Sequence, residues 1–424
     1  MNRIIALLLL TISCLAPAVG QGSAPANTRQ SEVTELRKRI EGDDRGHPVI
    51  SVRCAEEALR RLGEDGAPQT EVWFLLALVR DLNTLSEYER AASYVARARP
   101  LVARVGSPTD HFRLEVYAIA LLSAQEHYLE SKAALEGLLP ELEAAAAKVP
   151  RNHETRQALG QAYRISGGVL SRLGDMTGAI RSYTKAQKQY EEIGDPRGQG
   201  MVLDRMARLY EKLGQYRQAE RSDQQAISLA EACDDLGLQA SFRLGLSNVY
   251  ASMNVPDRQL LELEKAGRLA VRAQDPALAL RVTVNLADTY LKKRDYRTAR
   301  RHAEEALRLS LAARDPFSVA LCQVNRGIAL NRLGQGPEGL RNIQAGLAHF
   351  QAARDQGYAT EITGILAEEY AFGGDYRRAY ETHLAFKALG DEFQKRENQK
   401  HIAEASAAFE SDKKQFQIDA LQRE

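Results

Sequence analysis

Side chains able to do covalent or metal chemistry are few in this 424-residue chain, and their spacing does not suit it. The eight histidines include no pair at the HxxxH or HxxEH spacing that would put two ligands on one helix face. Beyond Cys14, the cysteines are Cys54, Cys233 and Cys322, an odd number at wide intervals, which assembles neither a CxxC metal site nor a disulfide framework. They read as small apolar residues for helix packing, with one disulfide as the alternative. GxSxG, P-loop and HExxH patterns do not occur in the sequence either. No catalytic residue, metal or cofactor is therefore expected, and the chemistry left to the chain is recognition by charge, hydrogen bonding and apolar contact.

Recognition needs a scaffold, and composition points to a helical one. Apolar residues make up 44% and charged residues 27%, enough for a packed core and too polar for a bundle of membrane spans. Ala, Leu, Arg and Glu dominate, and these lose little rotamer freedom in a helix. Lysine and arginine total 57 against 56 acidic residues, so no global field recruits nucleic acid or an anionic membrane. The stretch from Lys292-Lys293-Arg294 to Arg300-Arg301-His302 is basic, but Asp295, Glu304 and Glu305 dilute it.

Residues 1–20 have the make-up of a secretory signal: Arg3, an apolar run from Ile4 to Ile12, and Ala18-Val19-Gly20 as a small-residue cleavage site. Thr11 precedes Cys14 where a lipobox carries leucine, so an ordinary signal is preferred over lipidation. The chain is expected to be exported to the periplasm, and membrane-anchored only if it is a fragment of something longer.

Internal repetition organises the remainder. Asp195, Asp235, Asp275, Asp315 and Asp355 recur at intervals of 40 residues, and proline follows Asp195, Asp275 and Asp315, where it ends one helix and permits the next. Tyr210, Tyr250, Tyr290 and Tyr370 share one register, with Leu330 filling the gap. A tight turn follows at Leu173-Gly174-Asp175, Leu213-Gly214-Gln215, Arg294-Asp295, Leu333-Gly334-Gln335 and Gly374-Asp375, and then small residues recur at Ala179 and Ala186, Ala219 and Ala226, Ala299 and Ala306, and Ala379. This pattern resembles the tetratricopeptide repeat, a helix-turn-helix hairpin. The period exceeds the roughly 34 residues of the common unit, so longer helices and a looser joint are expected.

The resemblance implies an all-α fold, a right-handed superhelical solenoid of such hairpins with a C-terminal extended helix. Its parts would be the signal at 1–20, degenerate hairpins at 21–154, the regular array at 155–390, and a linker helix at 391–424. In this family a protein or peptide ligand occupies a concave groove lined by first helices. Placing that register on the sequence nominates Asp204, Arg208, Leu244, Asn248, Arg281, Asp288, Leu321, Ile328, Glu361 and Glu368 as partner-binding positions.

The C-terminal segment carries Ile402, Phe409 and Phe416 every seven residues, a partial coiled-coil seam with weak complementary positions at Ala405, Asp412 and Asp419. It offers a route to a homodimer, a poor one if the helix acts alone. Phe409-Glu410, Lys413-Lys414, Ile418 and Leu421 resemble a helix in bacterial signalling proteins, where a periplasmic tetratricopeptide region leads into a membrane span and a GGDEF diguanylate cyclase or histidine kinase. Gly373-Gly374-Asp375 and Gly390-Asp391-Glu392-Phe393 look like pieces of the GGDEF signature but are expected in a repeat turn and a helix start, outside any nucleotide-binding α/β domain. The resemblance implies the input region of such a signalling protein, and a stand-alone exported scaffold for envelope proteins is the alternative.

Overall fold

The computed structural model describes residues 26–42, 48–63, 67–149 and 152–421, so the signal-like segment 1–20 and Cys14 lie outside the described residues. Eighteen helices and no strand occur among the described residues. Two compact units meet at Ala124 and Gln125.

The first unit holds α1 (Ala26–Glu41), α2 (Pro48–Leu62), α3 (Pro68–Thr84), α4 (Tyr88–Val105) and α5 (Pro108–Ala124). α3 is its centre, because apolar residues surround it rather than forming one stripe. Phe74, Leu78 and Leu82 pack with Val33, Ile40, Val52 and Cys54, while Val72, Leu75, Leu76 and Val79 pack with Val95, Ala98, Val102 and Leu114.

The second unit opens with α6 (Tyr128–Lys148). It continues as an array of hairpins: α7 (His153–Arg172) with α8 (Met176–Glu192), α9 (Pro196–Lys212) with α10 (Tyr216–Ala232), and α11 (Leu236–Ser252) with α12 (Pro256–Arg272). Then come α13 (Pro276–Lys292) with α14 (Tyr296–Ala313), α15 (Pro316–Arg332) with α16 (Gly336–Ala352), and α17 (Gln356–Phe372) with α18 (Tyr376–Leu421).

The recurring aspartates act as N-caps. The side chains of Asp195, Asp235, Asp275, Asp315 and Asp355 accept from the backbone N–H three residues on, at 3.0, 2.9, 2.9, 3.1 and 3.2 Å. Each cap satisfies one of the donors orphaned at a helix start and contributes about 1 kcal/mol. Proline at the next position after Asp195, Asp275 and Asp315 is pre-set for the first helical turn.

The residue just before each of these caps is left-handed: Gly194, Asp234, Gln274, Arg314 and Arg354 have φ of 63°, 50°, 52°, 54° and 57°. The turns inside the hairpins use the same device at Gly174, Gly214, Asn254, Arg294, Gly334 and Gly374. A left-handed residue therefore falls every 20 residues from Gly174 to Gly374. Both kinds of joint are equally tight, contrary to the expected loose one, and the additional length lies in the helices, which mostly run 17 residues.

Small residues sit where the second helix of each hairpin meets its neighbours: Ala179, Ala186, Ala219, Ala226, Ala299 and Ala306 are fully buried. Two of the tyrosines that close first helices hydrogen-bond to side chains of second helices. Tyr250 Oη donates to Glu220 Oε1 at 2.8 Å, and Gln344 Nε2 donates to Tyr370 Oη at 2.8 Å.

Two expectations need correction. A helix start at Gly390 and a separate linker helix from 391 are not found, because α18 runs unbroken for 46 residues through that glycine. One glycine in a helix costs only about 1 kcal/mol, too little to interrupt it. Cys54 and Cys322 are buried as packing residues, but Cys233 caps the end of α10 and is exposed.

Candidate functional site: the inner wall of first helices

In the second unit, successive first helices (α7, α9, α11, α13, α15 and α17) touch one another, whereas successive second helices stay farther apart. The first helices therefore form the inner wall of the array, and a residue's position on that wall follows from its place in the 40-residue register.

Of the nominated positions, Arg208, Asn248, Arg281, Asp288, Leu321, Ile328, Glu361 and Glu368 are exposed or half-buried. Leu244 is not available to a partner: it is buried with Leu260, Leu263 and Val282 in the core between α11, α12 and α13. Asp204 is likewise buried, and its carboxylate accepts from Arg208 Nε and Nη2, both at 3.1 Å. The cause is a register offset. Arg281, Leu321 and Glu361 share a slot filled in the preceding repeats by Met201 and Ser241, three residues before Asp204 and Leu244. At about 100° per residue, a three-residue shift turns a side chain some 60° off the wall toward the core.

Neighbouring wall residues partly neutralise one another. Lys292 Nζ lies 2.7 Å from Asp288 Oδ2, and Asn285 Nδ2 is 3.5 Å from Asn248 Oδ1. Leu321 and Ile328 pack on the cluster containing Ile343 and Phe350, leaving part of each side chain uncovered. Glu361 and Glu368 are exposed and make no ion pair among the described residues.

Sequence reasoning missed Arg164 on α7, Arg205 on α9 and Asp223 on α10. Arg164, Arg205 and Arg281 make no ion pair among the described residues. Desolvation lowers Arg205 from the usual arginine range, the Asp204 carboxylate opposes this, and Arg208 and Arg164 add to it by repulsion. Arg281 is lowered for the same first reason, with Arg208 again adding and Asp204 and Asp275 opposing. Both side chains are solvent-exposed yet recessed between adjacent helices, as residues on a concave wall are. Arg164 lies one period before Asp204, in the slot turned toward the core, and is half-buried there.

Behind these arginines lies Asp223, 1% exposed, whose Oδ1 has no hydrogen-bond partner. Burial pushes its carboxyl up to about 9, the carboxylates of Asp204 and Glu211 add to this, and Arg208 opposes it. Gly245 of α11 makes room for this group. A Cβ there would stand 3.2 Å from Asp204 Oδ1 and 3.4 Å from both carboxyl oxygens of Asp223.

On α18, Ile402 is 67% exposed, while the side chains of Phe409 and Phe416 lie outside those described. Tyr376, Tyr380 and Leu384 extend an exposed apolar stripe along the start of the same helix. No helix among the described residues is long and apolar enough to cross a membrane, and no group of three or more metal-ligating side chains occurs among them.

Residues 154–232, spanning α7 to α10, match the tetratricopeptide-repeat family model. None of the curated proteins matches the chain. Among solved structures, the apo form of RapI aligns with a TM-score of 0.59 at 10% identity, over 87% of this chain and 99% of that one. A Rap protein complexed with competence and sporulation factor aligns at 0.57 and 12% identity, over 88% and 99%. Aspartyl phosphate phosphatase F from Bacillus subtilis aligns at 0.56 and 12%, over 88% and 96%. At such identities the likeness is one of fold. Residues 154–232 thus carry the tetratricopeptide-repeat signature, and the chain has the all-α solenoid fold of tetratricopeptide-repeat proteins.

Proposed function

We propose that the protein is an exported polypeptide-binding module, that the inner wall of its second unit receives a segment of a partner protein, and that it serves as the input region of a membrane signalling protein of the diguanylate cyclase type. The observation that carries the binding reading is the set of exposed wall side chains, Arg205, Arg281, Glu361 and Glu368, that make no ion pair among the described residues. A protein-interaction role is in keeping with the tetratricopeptide match and with a similarly folded Rap protein solved together with a bound factor.

The signal-like segment at residues 1–20 supports export. Support for an input role comes from α18, which leaves the last hairpin without a break, so a change in packing at α17 would be carried along one rigid rod. Binding at the wall would shift the population of hairpin arrangements, and α18 would report that shift.

A photo-crosslinking amino acid placed at Asn248 on the inner wall, and separately at Arg221 on a second helix, tests this in cells expressing the full chain. A polypeptide adduct from Asn248 in the periplasmic fraction and none from Arg221 is expected. Adducts from Arg221 alone, or a chain retained in the cytoplasm, would sink the reading.

A further inference from the structure

The chain as a whole is electrically balanced, at +1, but the inner wall is not. α9 and α13 present Arg205 and Arg281 without an ion-pair partner among the described residues, and the nearby Asp204 carboxylate is already held by Arg208. Asp223, near Asp204 and Arg208, is buried. The last repeat presents Glu361 and Glu368, exposed and unpaired among the described residues. Between the two lie the half-buried Leu321 and Ile328 of α15.

Resting on the inner wall as the binding surface, we infer that it selects its partner by charge order: an acidic segment docks against Arg205 and Arg281, and a basic residue farther along the same segment docks against Glu361 and Glu368. An extended polypeptide laid along successive first helices would meet Arg205, Arg281, the half-buried Leu321 and Ile328, and then Glu361 and Glu368 in that order. Arg205 and Arg281 both lie near Arg208 and share the Asp204 carboxylate, which Arg208 already holds, so a further carboxylate docked against them accepts charge-assisted hydrogen bonds that no side chain now supplies. Desolvation between neighbouring helices strengthens such a contact relative to one on an open surface.

Other polyanions fit less well. A nucleic acid would run its phosphates from the arginines into Glu361 and Glu368, and the slot shared by Met201, Ser241, Arg281, Leu321 and Glu361 holds no aromatic ring on which a base could stack. A flat anionic bilayer cannot follow a concave wall.

The test uses the full chain and short fluorescein-labelled peptides read by fluorescence anisotropy: one with a glutamate block, a leucine and a lysine block, its reversal, an all-glutamate peptide, an all-lysine peptide and oligo-dT. The expected result is that one of the two mixed peptides binds best and all-lysine worst. Arg205→Glu and Arg281→Glu, both at exposed positions, should each weaken the mixed peptide on the order of tenfold. Glu361→Lys with Glu368→Lys should make the all-glutamate peptide bind as tightly as the mixed one. Thermal melts of each variant should match the parent, which shows that the fold is retained.

Binding unchanged by the arginine reversals, preference for all-lysine, equal binding of oligo-dT, or no peptide binding at all overturns the charge-order inference. The photo-crosslinking result is separate. An inner-wall adduct that persists in Arg205→Glu/Arg281→Glu refutes the charge order while leaving the wall as the binding surface, whereas its absence in the parent chain refutes the surface itself.

Discussion

Replacing Asp223 with asparagine removes one titration from the middle of the array while keeping the shape of the side chain. The Asp223 carboxyl is 1% exposed, lacks a hydrogen-bond partner on Oδ1, and is raised from an ordinary 3.8 to about 9, first by burial and then by Asp204. A carboxyl raised on folding stabilises the folded form fully below about pH 3.8. That contribution is lost progressively as pH rises, until the group ionises in the folded protein near pH 9. Within that window each pH unit costs about 1.4 kcal/mol, because the unfolded chain releases a proton that the folded chain must keep. From about pH 5 to about pH 8 the loss amounts to about 4 kcal/mol, and asparagine has no such loss. Hydrogen exchange of amides in α9, α10 and α11 measures the local opening free energy where the group sits. The advantage of Asp223→Asn over the parent should therefore grow by about 4 kcal/mol across that range. A difference that changes by less than about 1 kcal/mol would mean that the carboxyl is ionised in the folded protein, and the burial argument would fail.

Three other substitutions or treatments follow from the joints and the cysteines. Asp275→Ala deletes the cap on Leu278 N–H and should lower stability by about 1 kcal/mol, whereas Asp275→Asn should cost little; denaturant midpoints separate the two, and equal losses would mean that the cap is not the cause. Gln274→Gly should stabilise by about 0.5–1 kcal/mol, since glutamine is held at φ 52° where glycine is unstrained; a lower melting temperature would refute this. In the native protein iodoacetamide should label Cys233 and spare Cys322, whose thiol burial pushes up to about 11, and Cys54 as well until unfolding. Peptide mapping that finds all three labelled at one rate would contradict the packing described.

How much was legible depended on whether the determining chemistry was local. The aspartates at 40-residue spacing could be read because an N-cap is set by one side chain and the next three residues, and the buried alanines because close helix packing admits little else. Assigning wall residues was harder. Asp204 and Leu244 lie three residues from the slot that Arg281 and Glu361 occupy, close enough to look equivalent on a list and far enough around the helix to be buried. The unbroken α18 was also not legible, since a lone glycine at position 390 marks a break only if nothing beside it favours helix.

The regular joints and the irregular wall have one physical origin. A left-handed residue every 20 positions fixes where each helix ends, and it does so even where Asp234, Gln274, Arg314 and Arg354 must bear the strain that glycine would avoid. With helix length and joint geometry held constant, the fold places little demand on the exposed side chains of the inner wall. Charge can therefore accumulate there locally while the chain as a whole stays balanced at +1. Net charge is silent about such a surface because it sums over the outer helices, whose lysines, arginines and glutamates pair within their own turns at Arg300–Glu304 and Arg308–Glu305. On the charge-order proposal, specificity rests on Arg205 of α9 and Arg281 of α13 and on Glu361 and Glu368 of α17, none of which makes an ion pair among the described residues.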